Sequence, residues 1–576
     1  MAPKTALAAG VFCAVLAILL VVDHFWSQRH DPVTSTALTE MKAALNLSPT
    51  DEKLRKQVRA LDLDLRRAHD RHLTLLRRGA WLWFGGMAVF LISVQSAYWR
   101  RKLPCPIKTP KAPGADARAR NRASLAVAGV GMGVAVAAWA LAQTAGTSLT
   151  VKLAQGTPPS PNAAQLAEPA PPSTPFPTLE EIQRNWPRFR GPGGAGTSFY
   201  TNVPSSWNAQ SGEGVPWKSA VPGPDFNSPV VWGDRVFLTT GTAQKREVLC
   251  YDAASGKLVW QKAVQAAPGT AVEPVTLPDT SSGYAACTAA VDGRRVYASF
   301  ADGEVAAFDL KGNQVWTRYF GKLENPYGHA TSLELHQDRL LVQLDQGEGK
   351  EIKSKLYALE TLTGKTVWET PIRPVPPSWA TPMVIRAGEK DQIVTCGNPF
   401  VIAYDPANGS ELWRAKVLGG EVTPSPIFAG GLVITAVDGS QLSAIKPDGS
   451  GDVTKTHVAW SADEGLPDIC SPLSDGQRLY LLITYGTITC YDLKTGKKIW
   501  DKDLGAEFKA SPSLAGDRIY LVDTKGKAII LAAGAEFKEL GRADIGEEVI
   551  ASPAFADGRI FIRGKQHLFC LGATGK

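Results

Sequence analysis

The eight cysteines of this 576-residue chain include no Cys-x-x-Cys, no Cys-x-x-Cys-His and no adjacent pair. Their absence argues against a zinc ribbon, covalently attached haem and a dense disulfide framework. Histidine is equally sparse, at eight residues, and no nucleophile motif or metal-ligand spacing occurs. Long uncharged runs are missing from everything beyond about residue 151, where apolar residues come in short strand-sized bursts between Gly, Asp and Asn. They are present before it.

Three such runs imply membrane-spanning helices over about residues 5–22, 79–99 and 124–143. No small-x-small cleavage site follows the first, so it reads as an uncleaved anchor rather than a signal peptide. The loop from Arg100 to Arg122 carries eight Lys or Arg and one acid, Asp116. A short basic loop of this kind is cytoplasmic by the positive-inside rule, which puts the remainder of the chain on the outer side of a cytoplasmic membrane, as a multi-pass protein. The longer loop between the first two runs mixes basic residues with seven acids after Asp23 and is a weaker guide. The same juxtamembrane residues account for much of the net charge of +7, so no nucleic-acid partner is expected.

Within that longer loop, Ser48-Pro49-Thr50-Asp51 is a helix start. Leu54, Val58, Leu61, Leu65, Ala68, His72 and Leu75 then alternate steps of four and three, a heptad seam over 49–78 that could self-associate or pack on neighbouring helices. After the anchor region, 1–143, a Pro- and Ala-rich linker over 144–177 reads as an extended tether.

From 178 to 576 the sequence repeats. Trp260, Trp316, Trp368, Trp413, Trp460 and Trp500 are separated by 56, 52, 45, 47 and 40 residues, and each ends a phrase such as Tyr491-Asp492-Leu493-Lys494-Thr495-Gly496-Lys497-Lys498-Ile499-Trp500. The phrase is a β-hairpin: an acid to bond the turn backbone, a Gly for positive φ, then a strand. Periods of this size mean propeller blades. Leu540 stands where the next tryptophan is due, and Trp217 precedes Trp260 by 43 residues with no earlier blade of its own. The expectation is therefore an all-β, eight-bladed propeller closed by pairing the Trp217 strand with the last hairpin, which ends at Leu571, so that no sheet edge is left open at the junction.

A second marker recurs in phase, a small hydroxyl residue followed by Pro: Ser228, Thr381, Ser425, Ser471, Ser511 and Ser552. Cys287-Thr288 and Ala330-Thr331-Ser332 take its place in blades two and three. Residues just before these markers are expected to line the central channel: Asn227, Tyr284, His329, Trp379, Glu421, Asp468, Lys509 and Glu548. Arg188 and Arg190 read as donors to loop carbonyls rather than anion ligands.

With these phrases in view, the region from about Trp186 to Leu571 resembles the quinoprotein propeller superfamily, which includes quinone-dependent alcohol dehydrogenases and the outer-membrane-assembly lipoprotein propeller. The lead-in Trp186-Pro187-Arg188-Phe189-Arg190-Gly191-Pro192-Gly193-Gly194-Ala195-Gly196 resembles a segment common in propeller proteins of planctomycete-like bacteria. Catalytic members of that superfamily hold pyrroloquinoline quinone (PQQ) under a disulfide of adjacent cysteines, with calcium ligands and an aspartate base. This chain has no such cysteine pair, and Cys250, Cys490 and Cys570 share one position in the repeat, as small core residues do. The absence of a nucleophile motif, a metal cluster and cofactor cysteines points to a non-catalytic module without a cofactor, binding a protein or polysaccharide at one rim. A PQQ- and calcium-dependent oxidoreductase with altered ligands is the alternative.

Overall fold

The computed structural model describes residues 176–223, 225–267 and 283–572. The expected membrane spans, the heptad helix and the linker up to residue 175 lie outside the described residues. Among the described residues no helix is long and apolar enough to cross a membrane.

Eight antiparallel sheets follow one another around a ring. Blade 1 is typical: an inner strand, Val230–Trp232, then Arg235–Gly241, Arg246–Asp252 and an outer strand, Leu258–Ala263. Blades 2 to 7 repeat this order over residues 290–319, 334–369, 383–416, 427–462, 473–503 and 513–544. Blade 8 has three strands of its own, Ala554–Ala556, Arg559–Arg563 and His567–Leu571, and its outer strand is Trp217–Ala220. Trp217 lies opposite Cys570 in that pairing, so the ring closes as the repeat predicts.

The tryptophans hold each blade to the next. The indole N–H of Trp217, Trp260, Trp316, Trp368, Trp460 and Trp500 donates at 2.9–3.2 Å to a backbone carbonyl in the following blade's outer turn, beginning with Ala253 and Leu310. The ring lies over the glycine of that turn: a Cβ on Gly256, whose φ is +70°, would come within 2.5 Å of the Trp217 indole. The repeat's Gly is therefore required twice, for its backbone conformation and for the space above it. The turn acid has the expected role, since Asp252 accepts from the Ser255 N–H and hydroxyl at 2.8 and 2.7 Å. Cys250, Cys490 and Cys570 face Trp260, Trp500 and Trp217 across the strand pair, where Ala307, Ala358, Ala403 and Ala444 face the other tryptophans. A small residue there leaves room for the indole.

Blade 7 departs from the expectation. In every other complete blade the residue before the tryptophan is a β-bulge, and Leu540 occupies the bulge, not the tryptophan site. The equivalent of the tryptophan is Gly541, opposite Ile530. The segment 203–209 runs beside this outer strand, with the Ala209 N–H on the Asp544 carbonyl at 3.0 Å. It brings Trp207, 4% exposed, into one cluster with Ala543 and Ile545. A tryptophan from outside the repeat thus joins the core beside the outer strand that lacks one. Trp413 differs too: its indole donates to Gln392, whose amide reaches the Pro447 carbonyl of the next blade, both at 2.8 Å.

Candidate functional site

The marker hydroxyls form a closed circle. In each blade the backbone N–H of the marker residue donates to the hydroxyl of the next blade's marker, in the order Ser228, Thr288, Ser332, Thr381, Ser425, Ser471, Ser511, Ser552 and back to Ser228, at 2.9–3.2 Å throughout. Blades 2 and 3 lose only the proline. Their hydroxyls, Thr288 and Ser332, keep their places.

This circle divides the channel into two levels. Three residues after a marker, on the inner strands, the lead-in is bonded: Trp186 bridges Val231, the Val291 N–H donates to the Pro187 carbonyl, and the Leu514 N–H donates to the Gly196 carbonyl. Thr197–Ser198 then adds a short parallel strand inside blade 7. The channel on that side is filled by the protein's own residues 186–198. Arg188 and Arg190 reach back toward the circle, donating to the carbonyls of Pro382 and Pro512, the residues that follow markers Thr381 and Ser511. Both arginines bond carbonyls, as the sequence implies. Arg188 also pairs with the buried carboxylate of Glu334, which nothing in the repeat marks. Burial pushes the Arg190 guanidinium down to about 9. Gly194 and Gly196 give these side chains room, since a Cβ would stand 2.7 and 2.5 Å from the Arg188 and Arg190 guanidinium nitrogens.

On the other level lies a bowl of about 640 Å³. One residue from each blade lines it, always two before the marker: Phe226, Ala286, Ala330, Trp379, Thr423, Ile469, Lys509 and Ile550. The residue one before the marker turns the other way, as strand alternation requires, and is buried between blades.

That rule corrects the sequence-based set. Trp379 and Lys509 are at the lining position, and Glu421 and Asp468 join the wall from the loops before it. Asn227 does not line the bowl; it is one residue out of register and 1% exposed, bonding the carbonyls of Thr239 and Ala285 at 2.7 and 2.6 Å. His329 is buried, its imidazole pushed down to about 4 by desolvation. Tyr284 and Glu548 also fall outside the lining, Glu548 in an ion pair with Lys565 at 2.8 Å. Nearness to a marker does not by itself place a residue in the lining; the register of two residues before it does. The marker spacing carries the signal, and reading two residues back from each marker would have found Phe226, Ile469 and Ile550.

The wall of the bowl mixes apolar, aromatic and charged groups. Trp379 and Tyr327 stand 5.3 Å apart, tilted by 54°, with the indole N–H on the Gly328 carbonyl at 3.0 Å and the Tyr327 hydroxyl on Glu421 at 3.2 Å. Glu421, Asp438 and Asp468 are the carboxylates of the wall and Lys509 its one cation. Among the described residues no cluster of His, Cys, Asp or Glu is arranged to hold a metal. Cys250, Cys287, Cys396, Cys490 and Cys570 are buried thiols that desolvation pushes up to about 12, and Cys470 is buried and pushed up likewise.

The family model described as outer membrane protein assembly factor BamB matches residues 203–381, 354–469 and 452–536. Two curated proteins are similar over part of the chain. Tetrathionate hydrolase of Acidithiobacillus ferrooxidans is 26% identical over 250 residues, 42% of this chain and 45% of that protein. Outer membrane protein assembly factor BamB of Yersinia pestis is 25% identical over 264 residues, 43% of this chain and 64% of that protein. The chain thus spans about half to two-thirds of the length of these relatives. Among solved structures, the quinohemoprotein alcohol dehydrogenase of Comamonas testosteroni matches with a TM-score of 0.50 at 12% identity, over 69% of this chain and 81% of that one, a likeness of fold.

Proposed function

Because this chain belongs to the PQQ-like propeller family described as outer membrane protein assembly factor BamB, we propose that it is a binding module rather than an enzyme, carried on the outer side of a cytoplasmic membrane and engaging a protein partner. The observation that supports this reading most is the filled channel. Residues 186–198 occupy one level of the channel, which leaves the bowl on the other. Membrane attachment rests on the three apolar runs before residue 151 and on the basic loop between the second and third.

The quinone-dependent alternative fits the bowl poorly. A quinone that carries carboxylates of its own would face Glu421, Asp438 and Asp468 with Lys509 as the one cation in the wall, and among the described residues no cluster is arranged to hold the calcium that would offset them. Like charges brought together in a partly enclosed site repel strongly. Titrating the purified full-length protein with pyrroloquinoline quinone and calcium by calorimetry is expected to give no tight binding. A submicromolar complex with alcohol-dependent dye reduction would move the protein to the oxidoreductase class.

A further inference from the structure

We propose that the bowl receives a basic side chain, arginine above all, presented between apolar residues by an extended segment of the partner protein. The proposal rests on the reading of the propeller as a protein-binding module and gives its site a chemistry.

Three features of the wall lead to it. Glu421, Asp438 and Asp468 come from the loops before and within blade 5 and before blade 6, so they share one side of the mouth. None of the three is ion-paired among the described residues: Glu421 accepts from Tyr327, Asp438 from the Gly439 N–H, and Asp468 from the N–H and hydroxyl of Thr484. Glu548 and Glu547, outside the wall, do have cationic partners. Negative charge left without a counter-ion at the mouth of a partly enclosed cavity attracts a cationic ligand.

The aromatic pair gives the charge a shape. A guanidinium is planar and weakly hydrated, stacks on an indole face and can bond carboxylates through two N–H groups at once. Trp379 is held by the Gly328 carbonyl and Tyr327 by Glu421, so the rings and a carboxylate are fixed relative to one another before a ligand arrives. The apolar members of the lining, among them Phe226, Ile469 and Ile550, suit the neighbouring residues of the segment. A neutral polysaccharide is a poorer match. The rings are tilted by 54° and present no common platform for a sugar face, and the carboxylates would stay uncompensated.

Lys509 provides the decisive variant, because it is the one cation in the wall and opposes a basic ligand. The test uses the detergent-solubilised full-length protein and fluorescence anisotropy with three labelled probes: a hexapeptide alternating leucine and arginine, the same peptide with glutamate for arginine, and a neutral glucose oligosaccharide. The arginine peptide alone is expected to bind, more weakly as salt is raised. The double variant Glu421→Gln, Asp468→Asn should weaken it by about tenfold, equivalent to ~1.4 kcal/mol. Trp379→Ala should weaken it as well, and Lys509→Ala should tighten it, which no merely structural role of Lys509 predicts. Equal binding of both peptides, oligosaccharide binding lost in Trp379→Ala, or no tightening in Lys509→Ala would each overturn the proposal. If the arginine peptide fails to bind while a photo-crosslinker at Tyr485, 80% exposed, still captures a protein in cells, the bowl proposal falls and the binding-module reading survives. A tight quinone complex would remove both.

Discussion

The backbone N–H of Ser552 donates to the hydroxyl of Ser228 at 3.0 Å, joining residues 324 positions apart and closing the eight-membered circle of the channel. Every hydroxyl in the circle accepts from one blade while its own backbone N–H donates to the next. The inner ends of the blades are therefore tied at the axis as the tryptophans tie their outer parts.

Removing a hydroxyl from the circle should leave a buried N–H without its acceptor. Ser228→Ala orphans the Ser552 N–H and is expected to destabilise the propeller by about 1–3 kcal/mol. Ser228→Thr should be close to neutral, because Thr288 and Thr381 already serve in the circle. Equilibrium urea unfolding of both variants checks this, and equal midpoints would show that the circle adds nothing.

Closure at the outer edge depends on Trp217 over Gly256. Truncation of a large buried aromatic, Trp217→Ala, should destabilise by roughly 3–5 kcal/mol. Gly256→Ala should also destabilise, since its Cβ would meet the indole and its φ is positive. Because the two sites touch, the double variant should lose less than the sum of the single losses. Additive losses would mean that the two residues do not act together.

Asp345 and Arg373 form a buried ion pair between blades 3 and 4. The carboxylate also accepts from the Ser378 hydroxyl at 2.6 Å and the Gln343 amide at 2.8 Å, and the guanidinium donates to Thr395 at 2.9 Å and the Tyr404 hydroxyl at 3.2 Å. Asp345→Ala would leave a buried cation unpaired and is expected to destabilise by about 3–5 kcal/mol. The melting temperature should fall well below that of Asp338→Ala, which removes an exposed surface partner of Arg339.

Glu304 gives the fold a pH dependence. Burial, with repulsion from Asp302 and partial relief from Arg246, pushes its carboxyl up to about 7. Between the ordinary glutamate range and pH 7 the folded protein holds a proton that the unfolded chain releases, so this group lowers stability as pH rises through that window. Below the window it has no effect. Glu304→Gln should therefore raise the melting temperature at pH 8 and leave it unchanged at pH 4. A gain at pH 4 as large as that at pH 8 would contradict this.

The proposed topology makes its own prediction. Alkaline phosphatase fused after Pro171 should be active and a fusion after Ala112 inactive. The reverse pattern would place the propeller in the cytoplasm.

The sequence alone determined the all-β class, the number of blades and the point of closure. Each of these depends on a hairpin phrase of about ten residues whose acid, glycine and tryptophan act locally, so its period survives even where single copies degrade. It also held the marker hydroxyls, though their hydrogen bonds to one another were not legible, since each bond joins residues 40 or more positions apart or crosses the closure. The tertiary structure decided the rest. Leu540 stands at the bulge because the blade 7 hairpin is longer, with Gly541 rather than Leu540 paired to Ile530, and alternation along the strand then turns Gly541 toward the tryptophan's place. Asn227 is buried and Phe226 lines the bowl for the same reason of alternation. That the lead-in fills one level of the channel could not be read from its motif, because its partners, Val231, Val291, Glu334 and Leu514, lie in four different blades and come together only when the ring has closed.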